Sequence, residues 1–277
     1  MPPPQPRNLL LCFDAFGTLF KPRLPIMQQY SDVARSYGLS GFTSEDVGKA
    51  FNIGDSTAFK EESKRNPNYG KANGLNAGIW WTNVHQPLPL PSGMVNTLLH
   101  RFWCDEGYTL FPDVQPLISK LRQAHRANDS KVVIGVITNS DDRAPDILSS
   151  FGLRVTGYDV DFSVMSYDVG YEKPDKRIFE AAEEMLEGLV KHEGNGGIHD
   201  PKQWNKVYIG DEFDKDITAS LNAGWNAVLI DREIPGERKD LMWLEDEPVG
   251  SLYEVFKTAK AVGFSSLEKL AQWMPPK

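Results

Sequence analysis

Cysteine is nearly missing from this sequence: Cys12 and Cys104 are the only two in 277 residues. Two thiols cannot build a disulfide framework, and their surroundings read as buried, reduced side chains of a cytoplasmic protein, with nuclear entry left open. Basic residues are also in short supply, 30 Lys and Arg against 38 Asp and Glu, for a net charge of −8. That balance argues against nucleic-acid or anionic-membrane binding, both of which need a basic face. It leaves room for a phosphate ester in a small, locally positive cleft. No apolar run approaches the roughly 18 residues of a membrane span. The start, Met1-Pro2-Pro3-Pro4-Gln5-Pro6, lacks an apolar signal core and reads as a short disordered lead-in. Histidines are few, and no spacing among His85, His100, His125, His192 and His199 suggests a metal set.

What is present is an ordinary globular composition, 40% apolar and 25% charged. The length allows one to two domains and a core that needs no staple. Strand-length runs recur at Leu9 to Phe13, Val132 to Ile137, Val160 to Met165, Val207 to Ile209 and Ala227 to Ile230. Four of the five are nearly all apolar, as strands covered on both faces of a parallel sheet must be. Asp161 and Ser163 interrupt the third run and place it nearer a sheet edge. Helical stretches at Val114 to Ala127, Lys176 to Val190 and Asp216 to Ala223 alternate with the strands. This alternation predicts a doubly wound α/β domain with a parallel sheet.

One gap breaks the rhythm, since more than a hundred residues separate the first two strands without a clear strand between them. Ile26, Tyr30, Val33, Ala34 and Tyr37 share one helical face. Thr43 and Asp46 form a capping-box pattern before Val47, Ala50 and Phe51, and Ser92 precedes a third face of Val95, Leu98, Leu99 and Phe102. Asn66 to Gly70 and the Pro-rich Gln86 to Pro91 read as loops. The simplest reading is a helical cap over residues 22–108, inserted into a core of residues 8–21 and 109–277. A further surface loop is expected from Glu193 through Gln203, and no internal repeat is evident.

In an open parallel sheet, ligands bind beyond the carboxyl ends of the strands. The polar residues just past each predicted strand are therefore the candidates. They are Asp14 to Thr18 after the first strand, Thr138-Asn139-Ser140 after the second, and Lys173-Pro174 in the loop after the third. The fourth strand ends in Gly210-Asp211, with Asp214 and Asp216 close behind. Carboxylates, a hydroxyl and a lysine converging on one cleft suit Mg²⁺-assisted phosphoryl transfer.

These four segments resemble the motifs of the haloacid dehalogenase superfamily, in order and each after a strand. The resemblance covers nearly the whole chain and implies a Rossmann-like core with a helical cap placed after the first motif. Pro67-Asn68-Tyr69-Gly70 and Trp80-Trp81-Thr82-Asn83-Val84 are similar to the eukaryotic rhythmically-expressed-gene-type subfamily. For this pair of tryptophans, packing is the simpler reading. The resemblance implies that Asp14 attacks phosphorus and forms an aspartyl-phosphate. It implies that Asp14, the backbone carbonyl of Phe16 and Asp211 hold Mg²⁺, and that Thr138 and the amides around Asn139 hold a phosphoryl oxygen. Lys173 would neutralise the charge shared by Asp14 and the phosphoryl group, and Asp216 would support Lys173 or a metal-bound water, with Asp214 as its competitor.

One position departs from that pattern. Where the family's phosphatases carry a second aspartate as general acid and base, this chain has Phe16. Losing such a group typically costs about 10²–10⁴ in rate. The expected enzyme is thus a Mg²⁺-dependent phosphatase of a small phosphorylated metabolite, with weakened acid–base catalysis. Two alternatives stand beside it: a metal-independent 2-haloacid dehalogenase, and a regulatory module that binds Mg²⁺ and phosphate without useful turnover. The acidic fourth segment favours the metal-dependent reading. Substrate identity and oligomeric state have no signature in the sequence.

Overall fold

The first strand, β1 (Leu9–Phe13), turns Leu11 and Phe13 to one side and Leu10 and Cys12 to the other, and all four are buried. A strand apolar on both faces belongs in the middle of a covered sheet, and β1 lies there in the computed structural model, which describes residues 8–50, 56–85, 90–127, 131–155, 157–192 and 203–274. The other strands are β2 (Phe20–Pro22), β3 (Tyr108–Leu110), β4 (Val132–Thr138), β5 (Phe162–Met165), β6 (Asn205–Gly210), β7 (Asn226–Ile230), β8 (Met242–Trp243) and β9 (Ala261–Phe264). Seven of them form one sheet in the order β5-β4-β1-β6-β7-β9-β8, and every pairing in it is parallel.

The core helices are α6 (Val114–Ala127), α7 (Ala144–Ser150), α8 (Ser166–Val169), α9 (Arg177–His192), α10 (Ala219–Asn222), α11 (Leu252–Val255) and α12 (Leu267–Trp273), which follow the cap helices α1–α5 named below. Leu117 and Leu121 of α6 and Leu267 and Leu270 of α12 pack on the face that carries Leu11 and Phe13. Ile178, Phe179, Ala182 and Leu186 of α9 cover the opposite face, against Leu10 and Cys12. Helices on both faces of a parallel sheet make the doubly wound α/β core that the alternation predicted.

The insertion is helical: α1 (Ile26–Ser36), α2 (Ser44–Ala50), α3 (Ser56–Arg65), α4 (Ala77–His85) and α5 (Met94–Arg101), with a 3-10 segment at Asn68–Asn73. Its own small core holds Val33, Ala34, Met94, Leu98 and Phe102. The capping box forms as written, with the Asp46 carboxylate accepting from the Thr43 amide at 2.8 Å and the Asp46 amide donating to the Thr43 hydroxyl at 3.1 Å. The chain leaves and re-enters the core through an antiparallel ribbon of β2 and β3, in which Pro22 faces Tyr108.

Several details differ from the sequence reading. The third run starts later than predicted, at Phe162, because the Asp161 carboxylate bonds the Ile134 amide at 2.7 Å and Arg122 at 3.0 Å. That strand, β5, is indeed at the edge of the sheet. The ribbon β2–β3 and strands β8 and β9 were not anticipated, since two to four residues are too few for a hydrophobic period to register. The helix expected from Asp216 is a π-helical segment, Phe213–Thr218, running into the short α10. Gly93, at φ 83°, replaces Ser92 as the residue before α5. Cys12 is buried, whereas Cys104 is only partly so. The expectations for Met1 to Pro6, Phe51, residues 86–89, residues 193–202 and His199, and for the side chains of Ala50, His125 and His192, fall outside the described residues.

Candidate active site

Strands β4, β1 and β6 lie side by side, with Phe13 opposite both Val136 and Ile209. Their carboxyl ends therefore open at one level, and three chain segments far apart in sequence meet there. Asp14 follows β1, and its amide donates to the Ile209 carbonyl at 2.8 Å. Thr138 closes β4 and is buried, and Asp211 follows β6. The Lys173 loop arrives from beyond the sheet edge.

Lys173 is the hub. Its ammonium donates to Asp14 Oδ1 at 2.6 Å, to Asp216 Oδ1 at 2.7 Å and to the Tyr208 hydroxyl at 2.8 Å, so its three N–H groups are all used. The side chain is only 3% exposed. Burial disfavours its charge, but the two flanking carboxylates outweigh that and leave its pKa raised. Tyr208 passes its own hydroxyl proton to the Ile137 carbonyl at 2.7 Å, which fixes the hydroxyl as an acceptor toward Lys173. Burial, with Asp216 and Asp14 nearby, pushes the phenol well above its usual range.

The lysine loop is itself pinned from β4. Asn139 Nδ2 donates to the Lys173 carbonyl at 2.8 Å, and Asn139 Oδ1 accepts from the Lys173 amide at 2.7 Å. Asp216 is held from behind, because its Oδ2 accepts from the Glu212 amide at 2.8 Å. Asp214, its competitor in the sequence reading, is exposed. Asp211 Oδ1 accepts from the Thr18 hydroxyl at 2.8 Å. Two glycines make this crowding possible. A Cβ on Gly17, which has φ +90°, would stand 2.1 Å from Asp211 Oδ2, and one on Gly210 would stand 2.3 Å from the Asp216 carboxyl.

Asp14, Asp211 and Asp216 each offer an oxygen within 4.8 Å of the other two. Burial is the main force raising the Asp14 pKa to about 7, partly countered by Lys173 and reinforced by Asp216. Burial likewise raises Asp211 to about 6, against the Thr18 hydrogen bond and with Asp216 and Glu212 adding to the rise. Such a set is short of positive charge, and a donor set made only of oxygens suits a hard divalent cation. The cluster can therefore coordinate a divalent metal.

This cluster overturns the expectation built on Phe16. The site is not depleted of acidic groups by that residue, since an intact set of three carboxylates converges on it. The reason is topological: parallel pairing of β1 with β6 delivers Asp211 and Asp216 from nearly two hundred residues downstream. Phe16 is 48% exposed, and its ring packs edge-on against Phe20 at 6.0 Å and Tyr108 at 6.2 Å, on the ribbon that carries the cap. The weakened acid–base catalysis deduced from a Phe-for-Asp exchange is accordingly withdrawn.

Tyr208 was missed by sequence reasoning because an inward tyrosine on a buried strand reads as packing. Trp80 does pack, at 1% exposure. Trp81, by contrast, reaches the core, donating from Nε1 to Asp141 Oδ2 at 3.1 Å. Asp141 in turn holds Arg143 through bonds of 2.8 and 2.7 Å, and the guanidinium lies 5.4 Å from the Trp81 ring centre. Asn68 Nδ2 and the Leu75 carbonyl bond Tyr167 at 3.0 and 2.9 Å. The cap is thus fastened to the core beside the carboxyl ends of the strands.

Comparison with known proteins agrees with this arrangement. The profile of the haloacid dehalogenase-like hydrolases matches residues 9–224. An uncharacterized hydrolase of Schizosaccharomyces pombe is 32% identical over 225 residues, 80% of this chain and 90% of that protein. The haloacid dehalogenase-like hydrolase domain-containing protein 3 of Danio rerio is 30% identical over 80% of this chain and 84% of its own. The rhythmically expressed gene 2 protein of Drosophila melanogaster is 26% identical over 81% and 83%. Among solved structures, a 2-haloacid dehalogenase of Pseudomonas syringae aligns with a TM-score of 0.56 at 18% identity over 96% of this chain and 98% of that one. A phosphatase from Thermococcus onnurineus aligns at 0.53 and 20% identity over 95% of each. The two structural likenesses show a shared fold, while the profile and the relatives show the lineage: this chain belongs to the haloacid dehalogenase-like hydrolases, in the branch that carries a helical cap.

Proposed function

We propose that this hydrolase cleaves a small phosphate monoester with the help of Mg²⁺, through its complete set of Asp14, Asp211 and Asp216. The observation that carries the reading is the buried Lys173 ammonium bound between Asp14 and Asp216, with Asp211 completing a cluster inside 4.8 Å. A positive charge fixed beside a buried carboxylate is what attack on an anionic phosphoryl group needs, since it offsets repulsion between nucleophile and substrate.

In this reading Asp14 supplies the attacking oxygen: its bond to phosphorus forms as the ester P–O bond breaks, the leaving alcohol takes its proton from solvent water, and a water molecule then cleaves the aspartyl-phosphate to return Asp14 and release inorganic phosphate. Lys173 keeps one Asp14 oxygen in place and draws charge from the phosphoryl oxygens. Thr138 and the amides around Asn139 hold the transferred group, and Asp216 positions Lys173. Asp14, Asp211 and the Phe16 carbonyl are the proposed protein ligands of the cation. Mg²⁺ bound there would neutralise phosphoryl charge that the carboxylates alone would repel. The helical cap, proposed to span residues 22–108, would cover the cleft and exclude water. Both cysteines are free thiols, which supports a cytoplasmic setting.

Hydrolysis of an activated aryl phosphate tests the proposal. Activity should require Mg²⁺, stop with chelator and vanish in Asp14→Asn with the fold intact. Full activity in Asp14→Asn, or halide release from a 2-haloacid without metal in place of phosphatase activity, would overturn it. A screen of metabolite phosphates then identifies the substrate.

A further inference from the structure

Helix α5 ends at Arg101, and the chain turns sharply before entering β3. That turn brings together three side chains of unlike chemistry: the imidazole of His100, the thiol of Cys104 and the carboxylate of Glu106. Each offers a donor atom within 4.8 Å of the other two. His100 Nδ1 stands 3.8 Å from Glu106 Oε1. Sequence spacing alone suggested no metal set among the histidines, because the approach of Glu106 depends on the turn rather than on a helical repeat.

The turn is held mainly through its backbone, and the Cys104 thiol adds a 3.5 Å bond to the His100 carbonyl. The Trp103 amide bonds the His100 carbonyl at 3.0 Å, and the Gly107 amide bonds the Cys104 carbonyl at 3.2 Å. Arg23 clamps the Asp105 carbonyl through Nε and Nη2 at 3.0 and 2.7 Å. The Gly107 carbonyl accepts from Gln29 Nε2 and from the Arg23 amide, both at 2.9 Å. A Cβ on Gly107 would lie 2.5 Å from the Arg101 carbonyl oxygen, so only glycine lets the turn close this tightly. The backbone that carries the three donors is therefore preorganised, while the donors themselves remain reachable from solvent, with His100 72% and Glu106 56% exposed.

We propose that His100, Cys104 and Glu106 form a second metal site, selective for a borderline-soft divalent cation such as Zn²⁺. One nitrogen, one sulfur and one oxygen, with water as a fourth ligand, match the donors Zn²⁺ accepts and exclude Mg²⁺, which takes oxygen. Tetrahedral bonds of about 2.0–2.3 Å set donors roughly 3.3–3.8 Å apart. At 3.8 Å, His100 Nδ1 and Glu106 Oε1 stand a few tenths of an ångström beyond the roughly 3.3–3.5 Å that a nitrogen and an oxygen ligand need, and both exposed side chains can rotate inward, while the half-buried Cys104 thiol gives up its 3.5 Å bond to the His100 carbonyl when it binds as thiolate. The site lies at the foot of the cap, where α5 passes into the β2–β3 ribbon. Metal bound there would tie the end of α5 to the start of β3 and stiffen the stem on which the cap is mounted.

Co²⁺ titration of the full-length protein under a non-thiol reductant provides the test. Binding at this site must produce a thiolate-to-cobalt charge-transfer band in the near ultraviolet, which an oxygen-only site cannot give. The band should be unchanged in Asp211→Asn and absent in Cys104→Ser. His100→Ala and Glu106→Gln should each weaken Co²⁺ by about tenfold or more, since even outer-shell losses cost 10–100-fold. Competition with Zn²⁺ should abolish the band, and Mg²⁺ should leave it. Absence of the band at millimolar Co²⁺, or a band of unaltered affinity in His100→Ala and Glu106→Gln, would overturn the site.

Discussion

Asn139 and Lys173, thirty-four positions apart, grip one another twice: the Asn139 amide group donates to the Lys173 carbonyl at 2.8 Å and accepts from its backbone N–H at 2.7 Å. The end of β4 thereby sets where the lysine loop stands, and hence how its ammonium meets Asp14 and Asp216. Asn139→Ala removes both bonds while leaving every charged group in place. Two neutral hydrogen bonds contribute about 1–3 kcal/mol together. The expected outcome is a folded protein with a markedly lower kcat, measured by steady-state kinetics beside a thermal melt. Unchanged kcat would show that Lys173 is positioned by its ion pairs alone.

Lys173→Met keeps the length and apolar stem of the side chain but leaves Asp14 and Asp216 buried together without a cation. Breaking a buried ion pair by removing one partner costs about 3–5 kcal/mol. Chemical denaturation at neutral pH should show a loss of that order, with turnover abolished. Lowering the pH should return part of the stability, because a protonated Asp14 no longer repels the neighbouring Asp216 carboxylate. A variant as stable as the parent would mean that the ammonium holds nothing together.

Gly210→Ala tests the crowding behind the cluster. The new methyl would meet the Asp216 carboxyl 2.3 Å away. Asp216 must then swing out, breaking its bonds to Lys173 and to the Glu212 amide. Activity should fall steeply, accompanied by destabilisation of about 1–3 kcal/mol as overpacking predicts. Wild-type activity in this variant would remove Asp216 from the positioning of Lys173.

Metal and pH should be linked with a definite sign. Asp14 and Asp211 have pKa values raised to about 7 and about 6, above the 3.8 of a free aspartate. For the metal-free protein, stability tied to these groups is fully present below about pH 4 and is lost as the pH rises through 6 and 7. A cation binds the deprotonated forms and offsets that loss. Added Mg²⁺ should thus raise Tm little at pH 5 and substantially at pH 8, as read by differential scanning fluorimetry. An equal shift at both values would place the binding elsewhere.

Trp81→Phe probes the fastening of cap to core. The ring remains, but the 3.1 Å bond from Nε1 to Asp141 is lost. The expected change is about 1 kcal/mol in stability, with KM more affected than kcat because the cap closes on substrate rather than performing the chemistry. A fall in kcat at constant KM would contradict this division of labour.

The reach of the sequence can be judged residue by residue. Asp14, Thr138, Lys173 and Asp211 could be singled out because parallel strands end on one side of a sheet, and an apolar run that stops at a polar residue marks such an end. The alternation of strands and helices had the same physical basis, since a strand covered on both faces is apolar throughout. Asp161 and Ser163 pointed to the edge position of the third run, although Asp161 itself lies just before β5, where its carboxylate bonds the Ile134 amide and Arg122.

Other features depended on distances that no local pattern encodes. Phe16 looked decisive in the sequence, yet its ring packs toward the cap stem, and the strand-end carboxylates Asp14, Asp211 and Asp216 come within 4.8 Å of one another through the parallel pairing of β1 with β6. Tyr208 became the third partner of Lys173 only when β6 came to rest beside β1, and Asn139 found the lysine backbone only when the loop beyond β5 folded back. Trp81 reached Asp141, and Glu106 reached His100, through tertiary approach and a tight turn. Sequence by itself determined which residues lie at strand ends and which faces are apolar, because period and burial are local properties. Tertiary structure decided which of those residues come within hydrogen-bond, ion-pair or metal-ligand distance of one another, because that depends on register and loop closure between segments up to about two hundred residues apart.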